Sequence, residues 1–198
     1  MKLKKLLTYL FFILINIIII NNSYSIEPDV FVQSTVNRAS KILSDNLPKD
    51  IKINKLKSVA AETVDIKGIG MYTLGSYRKN LTEDQKKKYD LLFEQYFLKT
   101  FSSRLAEYSN PEIEVKSKEI LNKNYTMVSS ILVATEKRPE VKIDWRVYTK
   151  KSDDPKIRDL IIEGLSLART QKEEFSSIID SNDGDINSLF ANLKEFIK

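Results

Sequence analysis

The chain contains neither His nor Cys, so it lacks the side chains that most enzymes use for nucleophilic and metal chemistry. Ser-His-Asp and Cys-His catalysis, imidazole or thiolate metal sites and disulfides are therefore excluded. One close carboxylate pair, Asp159 and Glu163, lies in an apolar segment and is a candidate for general acid–base work. On a strand, residues four positions apart are separated by about 13 Å, so we expect both carboxylates to bind backbone or basic groups instead. No catalytic residue, metal or cofactor is expected.

The composition indicates neither a phosphate loop nor a nucleic-acid surface. The five glycines form no P-loop or dinucleotide pattern. The formal charge of +5 comes largely from residues 1–5, which contain three of the 32 basic residues. Without these three lysines, 29 basic and 27 acidic residues remain, and the formal charge is +2. A nucleic-acid-binding domain needs a clustered basic surface, so nucleic acid is not expected as a partner.

The first 25 residues have the three-part order of a secretory signal. Basic residues 1–5 precede an apolar run over residues 6–20, and residues 21–25 end in small side chains. We expect cleavage after Ser25, a periplasmic location and a single domain over residues 26–198. An uncleaved membrane anchor is the alternative, although the run is short for about 30 Å of hydrocarbon.

The longest amphipathic pattern follows Gly75, which is placed like the left-handed residue that ends a helix. Thr82 and Gln85 form a capping box, so a helix is predicted to start there. Over about 25 residues, roughly 38 Å, apolar residues recur at three- and four-residue steps at Tyr89, Leu92, Phe93, Tyr96, Phe97, Phe101, Leu105 and Tyr108. This stripe is either ordinary core or a wall against which an apolar ligand lies.

Helices are predicted on both sides of a run of strands. Before the long helix they cover residues 28–46, residues 54–63 and a segment from the cap Asp65 to Leu74, in which Gly68 and Gly70 indicate the close approach of another backbone. After the strands, Ser166 caps one helix, and a turn at residues 182–184 precedes the last.

Four segments rich in β-branched and aromatic residues lie between these helices. They cover residues 112–121, 125–135, 140–150 and 156–163, and the breaks between them have turn composition. The pattern predicts an antiparallel meander. The fold class is therefore α+β, with helices covering one face of a curled four-stranded sheet.

Two separated motifs resemble the MlaC family of periplasmic phospholipid-binding proteins, also called the toluene-tolerance family. Residues 159–167 read Asp-Leu-Ile-Ile-Glu-Gly-Leu-Ser-Leu and are followed by Phe175. The family pattern there is an Asp, three mostly apolar residues, Glu-Gly-Val-Ser-Leu and a helix with an Arg and an aromatic residue. Residues 74–77, Leu-Gly-Ser-Tyr, with Thr82 and Gln85, resemble its Leu-Gly-x-Tyr segment at the start of the long helix.

The resemblance implies a monomeric, cone-shaped carrier that is not an enzyme. Its phospholipid would move between an outer-membrane lipoprotein–porin complex and an inner-membrane MCE-domain ABC transporter, with the acyl chains in an apolar cavity between sheet and helices. We expect this cavity to be lined by Met71, Leu74, Phe93, Phe97, Phe101, Met127, Ile131, Ile143, Trp145, Val147, Ile161 and Leu165. Two alternatives remain open: an enzyme that uses Asp159 or Glu163 as a base, and a periplasmic adaptor without a ligand.

The composition makes one prediction about pH. Only the mature N-terminus has an intrinsic pKa between 6 and 8 in a chain without His or Cys. Lipid binding and stability should therefore stay nearly constant over that range. Thermal melting and lipid retention measured at half-unit steps check this, and a steep change in either would contradict it.

Overall fold

A computed structural model describes residues 25–108, 110–136 and 138–198. Along this part of the sequence, helices precede and follow a run of β-strands. The predicted signal lies outside the described residues. The helices are α1 (Pro28–Ser44), α2 (Lys49–Thr63), α3 (Ile66–Thr73), α4 (Glu83–Leu105), α5 (Leu167–Asp180) and α6 (Ile186–Ile197), with a short 3-10 turn at Tyr77–Lys79. Across these described ranges, no helix is long and apolar enough to cross a membrane.

The sheet is an antiparallel meander, which confirms the predicted α+β class. Its strands are β1 (Ile113–Asn122), β2 (Tyr125–Leu132), β3 (Val141–Tyr148), β4 (Lys156–Ile162) and β5 (Leu165–Ser166), and they pair in sequence order. The short β5 was not predicted. It exists because the turn at Glu163 and Gly164, where both residues have positive φ, brings the next two residues back against the end of β4.

One face of the sheet carries the core. Along β2, buried Thr126, Val128, Ser130 and Leu132 alternate with half-buried side chains, and the buried set packs with residues of the helices. We call the face with the buried set the inner face and the opposite one the outer face. The period of two in a strand assigns every β2 residue to one of these faces.

Local capping signals place the helices where they were predicted. The Thr82 hydroxyl accepts from the Gln85 amide at 3.2 Å, and the Gln85 side chain accepts from the Thr82 amide at 3.0 Å. Asp65 accepts from the Gly68 amide at 2.9 Å, and Gly75 has the expected left-handed φ of 56°. Helix α2 differs, since it begins at Lys49 and not near residue 54.

Two contacts join α1 to the edge strand β1. The Gln33 side-chain amide donates to the Ile113 carbonyl at 3.2 Å and accepts from the Val115 amide at 3.0 Å, as a neighbouring strand would. Lys118 binds Asp29 at 2.7 Å, and this hydrogen bond lowers the pKa of Asp29 from 3.8. The contact therefore stabilises the fold above the ordinary carboxylate pKa and is lost as pH falls through the lowered value, well outside pH 6–8.

Candidate functional site

Helix α4 stands apart from the sheet. Its backbone packs closely on α2, α3 and α6, whereas it approaches no described strand as closely. Apolar side chains of α4 and of the inner face belong to one core and border the layer between them. This apolar layer is the candidate functional site.

A ladder of four aromatic rings runs along α4, and all four rings belong to the core or pack against it. Tyr89, Phe93, Phe97 and Phe101 are spaced one helical turn apart, with successive ring centroids separated by 5.6, 6.1 and 5.6 Å. Side chains four residues apart lie on the same helix face, and offset or stacked rings at these distances attract each other. We call these four residues the ring ladder.

Burial decreases along the ring ladder from one end to the other. Tyr89 and Phe93 are 0% and 2% exposed, whereas Phe97 and Phe101 are only half-buried although both pack against the core. The layer therefore has a closed end at the start of α4 and a more open end near its C-terminus.

The closed end is held by α3. A Cβ added at Gly70 would lie 2.8 Å from the Phe93 ring, so only glycine lets α3 approach this ring. The atoms nearest to a Cβ added at Gly68 belong to the Asp65 side chain, and those nearest to a Cβ added at Gly70 belong to the Phe93 ring. The prediction that these glycines allow the close approach of another backbone is therefore wrong.

Tyr89 is also fixed at this end. Its hydroxyl shares a 2.8 Å hydrogen bond with that of Thr73, and burial raises the pKa of the Tyr89 phenol. The phenol therefore stays neutral at physiological pH, and its hydroxyl lies beside a polar partner and not in the apolar layer.

The opposite wall of the layer is the inner face of the sheet. Its buried residues include Val128, Trp145 and Val147. The Trp145 indole donates to the Ser130 hydroxyl at 2.8 Å, and that hydroxyl donates to the Ile143 carbonyl at 3.0 Å. The buried polar groups of Trp145 and Ser130 thus have partners within the sheet.

Eight of the twelve predicted lining residues come together around the layer. They belong to the core or pack against it, and they are Met71, Leu74, Phe93, Phe97, Phe101, Ile143, Trp145 and Val147. The other four lie elsewhere. Met127, Ile131 and Ile161 are on the outer face, as their cross-strand partners show, and Leu165 in β5 is 69% exposed.

Several inner-face residues at the open end were not among those predicted. Ile113, Leu132 and Val141 are neighbours across three strands, and all three belong to the core or pack against it. The alternation within β3 places Val141 on the same face as Trp145 and is the signal that identifies it. Ile113 and Leu132 required the strand register, which the sequence alone did not supply.

The carboxylate pair has structural partners. Asp159 is 4% exposed and accepts from the Ser166 hydroxyl at 2.7 Å, the Ala168 amide at 3.0 Å and Arg146 at 3.3 Å. Glu163 accepts from the Lys142 amide. The expectation that both carboxylates bind backbone or basic groups is confirmed. Asp159 joins the start of α5 to β3 and β4.

Two surface clefts lie away from the ring ladder. One, of about 480 Å³, runs along α1 between Val30 and Lys41. The other, of about 320 Å³, lies near the start of α3 and includes Asp65, Asp90 and Lys156. Charged side chains line both clefts, so neither resembles the apolar layer in character.

This arrangement of helices and sheet is shared with a lipid-binding protein of known structure. A phospholipid-binding protein from Ralstonia solanacearum, solved in complex with a phospholipid, superposes with a TM-score of 0.73 at 21% identity, covering 87% of this chain and 97% of that one. The two proteins therefore have the same fold.

Sequence comparison identifies the family. The sequence model of the MlaC protein family matches residues 33–195, and the chain belongs to that family. A relative from Haemophilus influenzae, the intermembrane phospholipid transport system binding protein MlaC, is 25% identical over 206 residues, which cover 98% of this chain and 94% of that protein.

The Asp159 contacts predict a large loss of stability on substitution. Asp159→Ala removes an ionised acceptor and leaves the buried Ala168 amide without its partner, at a cost of about 3 kcal/mol. Urea denaturation measures this change. Asp153→Ala, in an exposed turn, should cost less than about 0.5 kcal/mol. Equal midpoints for the two variants would show that Asp159 does not join these elements.

Proposed function

We propose that this protein is a periplasmic carrier of one phospholipid. The acyl chains would lie in the apolar layer, between the ring ladder and the inner face, with the headgroup at the open end. The ring ladder carries this proposal, because its rings share one core with the apolar inner face and become more exposed toward one end. If the rings only packed a solid core without a ligand, their exposure would not need to increase along α4.

The energetics of lipid transfer explain why a carrier needs this layer. Two acyl chains of about 16 carbons, at about 0.8 kcal/mol per methylene, resist exposure to water by roughly 25 kcal/mol. Diffusion through water is therefore negligible. Because the lipid starts in a bilayer, the protein has only to match that burial, and the net exchange energy is then close to zero.

Because the exchange energy is close to zero, the direction of lipid transport must be set by the proteins with which the carrier exchanges lipid. We infer that the carrier exchanges lipid with an outer-membrane lipoprotein–porin complex and with an inner-membrane MCE-domain ABC transporter. The name of the Haemophilus influenzae relative, an intermembrane phospholipid transport system binding protein, supports transport of phospholipid between two membranes. The phospholipid bound to the Ralstonia solanacearum protein supports the ligand class.

An enzymatic role is the less favoured candidate. Asp159 is occupied by three donors, and Glu163 lies in an exposed turn where it binds a backbone amide. A general base must reach a substrate proton within hydrogen-bonding distance. Neither carboxylate borders the apolar layer, so the carrier is the function that we propose.

Replacing Phe97 by Asp tests the position of the acyl chains. A half-buried Asp that borders a lipid site can be hydrated once the lipid has left, so Phe97→Asp should fold but lose its phospholipid. Circular dichroism and thermal melting report folding. Mass spectrometry of a solvent extract reports lipid bound per chain.

Two further variants make the result interpretable. Phe175→Asp places a charge at a position that is 2% exposed and should unfold the protein, since a buried unpaired charge is among the most costly changes. Lys87→Asp, on the exposed side of α4, should retain both fold and lipid. Unfolding of Phe97→Asp, or full lipid retention by a folded Phe97→Asp, would overturn the proposed site.

A further inference from the structure

Arg138 lies at the rim of the open end. Its Nη2 donates to the Val133 carbonyl at 3.1 Å, just beyond the end of β2, and its Cζ is 5.5 Å from the centre of the Tyr108 ring. Tyr108 follows the C-terminus of α4, seven residues after Phe101, the last ring of the ladder. The guanidinium therefore lies where the end of α4 and the end of β2 meet.

The backbone holds Arg138 in place. Thr135 and Arg138 form a tight turn, in which the Thr135 amide donates to the Arg138 carbonyl at 2.8 Å and the Arg138 amide donates back at 3.2 Å. Val133 is in turn bound to the start of β1, since its amide donates to the Glu112 carbonyl at 2.8 Å. The turn fixes the direction of the Cα–Cβ bond, and the hydrogen bond from Nη2 to the Val133 carbonyl holds the far end of the side chain.

Arg138 differs from two other half-buried arginines in its charged neighbours. Arg146 and Arg158 are also half-buried, and each forms an ion pair, with Asp159 at 3.3 Å and with Asp65 at 2.5 Å. Among the residues that the structure describes, no carboxylate lies within 4.0 Å of Arg138.

One donor of this guanidinium is buried without an acceptor. The Arg138 Nε is inaccessible to solvent, and no acceptor from the described residues is within hydrogen-bonding distance. A buried donor without a partner costs about 1–3 kcal/mol. A guanidinium presents adjacent donors in a planar fork that fits the oxygens of a phosphate.

We infer that Arg138 binds the phosphate group of the carried phospholipid at the open end of the apolar layer. This inference rests on the proposed carrier function and adds a site that selects phospholipids over neutral lipids with the same acyl chains. The phosphodiester oxygens would accept from the guanidinium, and the Tyr108 ring and Val133 carbonyl would hold it. The phosphate is the group that all glycerophospholipids share, so the site does not depend on the rest of the headgroup.

Competition between two lipids with identical chains tests this inference. The lipid-free protein is incubated with vesicles that contain equal amounts of phosphatidylglycerol and diacylglycerol, and the bound lipids are extracted and quantified. The wild-type protein should retain the phospholipid in excess. Arg138→Gln should lower the phospholipid-to-diacylglycerol ratio about tenfold, the size of one lost hydrogen bond to a charged group, with unchanged diacylglycerol binding by a protein that still melts cooperatively.

Matched controls separate the possible causes. Arg104→Gln removes the same charge from the last turn of α4, where the side chain is exposed, and should keep the wild-type ratio. Inorganic phosphate at 10 mM, chosen as roughly the level that saturates a weak anion site with millimolar affinity, should leave the bound phospholipid in place.

The outcomes distinguish this inference from the carrier function. A wild-type protein that binds both lipids equally, or an Arg138→Gln protein that keeps the wild-type ratio, would overturn the Arg138 site alone. An equal loss in Arg104→Gln would show a general charge effect and overturn it as well. Displacement of the lipid by inorganic phosphate would assign the site to free phosphate. A wild-type protein that binds neither lipid would overturn the carrier function itself.

Discussion

The contact between the Phe93 ring and Gly70 determines where the apolar layer closes. Any larger residue at Gly70 would push against the ring, whose Cδ1 would lie 2.8 Å from the new Cβ, and would move α3 away from α4. Because Phe93 also meets Phe175 of α5 edge-on at 6.2 Å, three helices converge on this ring. At the opposite end of the ring ladder, Phe97 and Phe101 are only half-buried, so the layer is more open there than at Phe93.

A lipid carrier must be stable both with and without its ligand, and the distribution of polar contacts fits this demand. Asp159 binds the start of α5 to the sheet, and Gln33 and Lys118 bind α1 to β1. These contacts lie outside the apolar layer, so its filling or emptying leaves them intact. The Trp145 indole on the inner face and the Tyr89 hydroxyl at the closed end are each bound to a neighbouring hydroxyl.

Features set by local contacts could be predicted from the sequence, and features set by distant ones could not. The caps at Asp65, Thr82 and Ser166 depend on residues within three positions, so the starts of α3, α4 and α5 follow from the sequence. The faces of β2 do not, because its apolar residues occur on both sides of the strand. Met127 and Ile131 were therefore predicted to line the cavity, although strand pairing puts them on the outer face. The buried Nε of Arg138 has no signature in the sequence either.

The central claim is that the apolar layer holds a phospholipid, and its occupancy can be measured directly. The mature chain is purified from a bacterial periplasm without detergent, extracted with organic solvent and analysed by quantitative mass spectrometry, with a second periplasmic protein of similar size as the control. We expect close to one phospholipid per chain and only background amounts in the control. Phospholipid at the background level in both proteins, from chains that melt cooperatively, would contradict it.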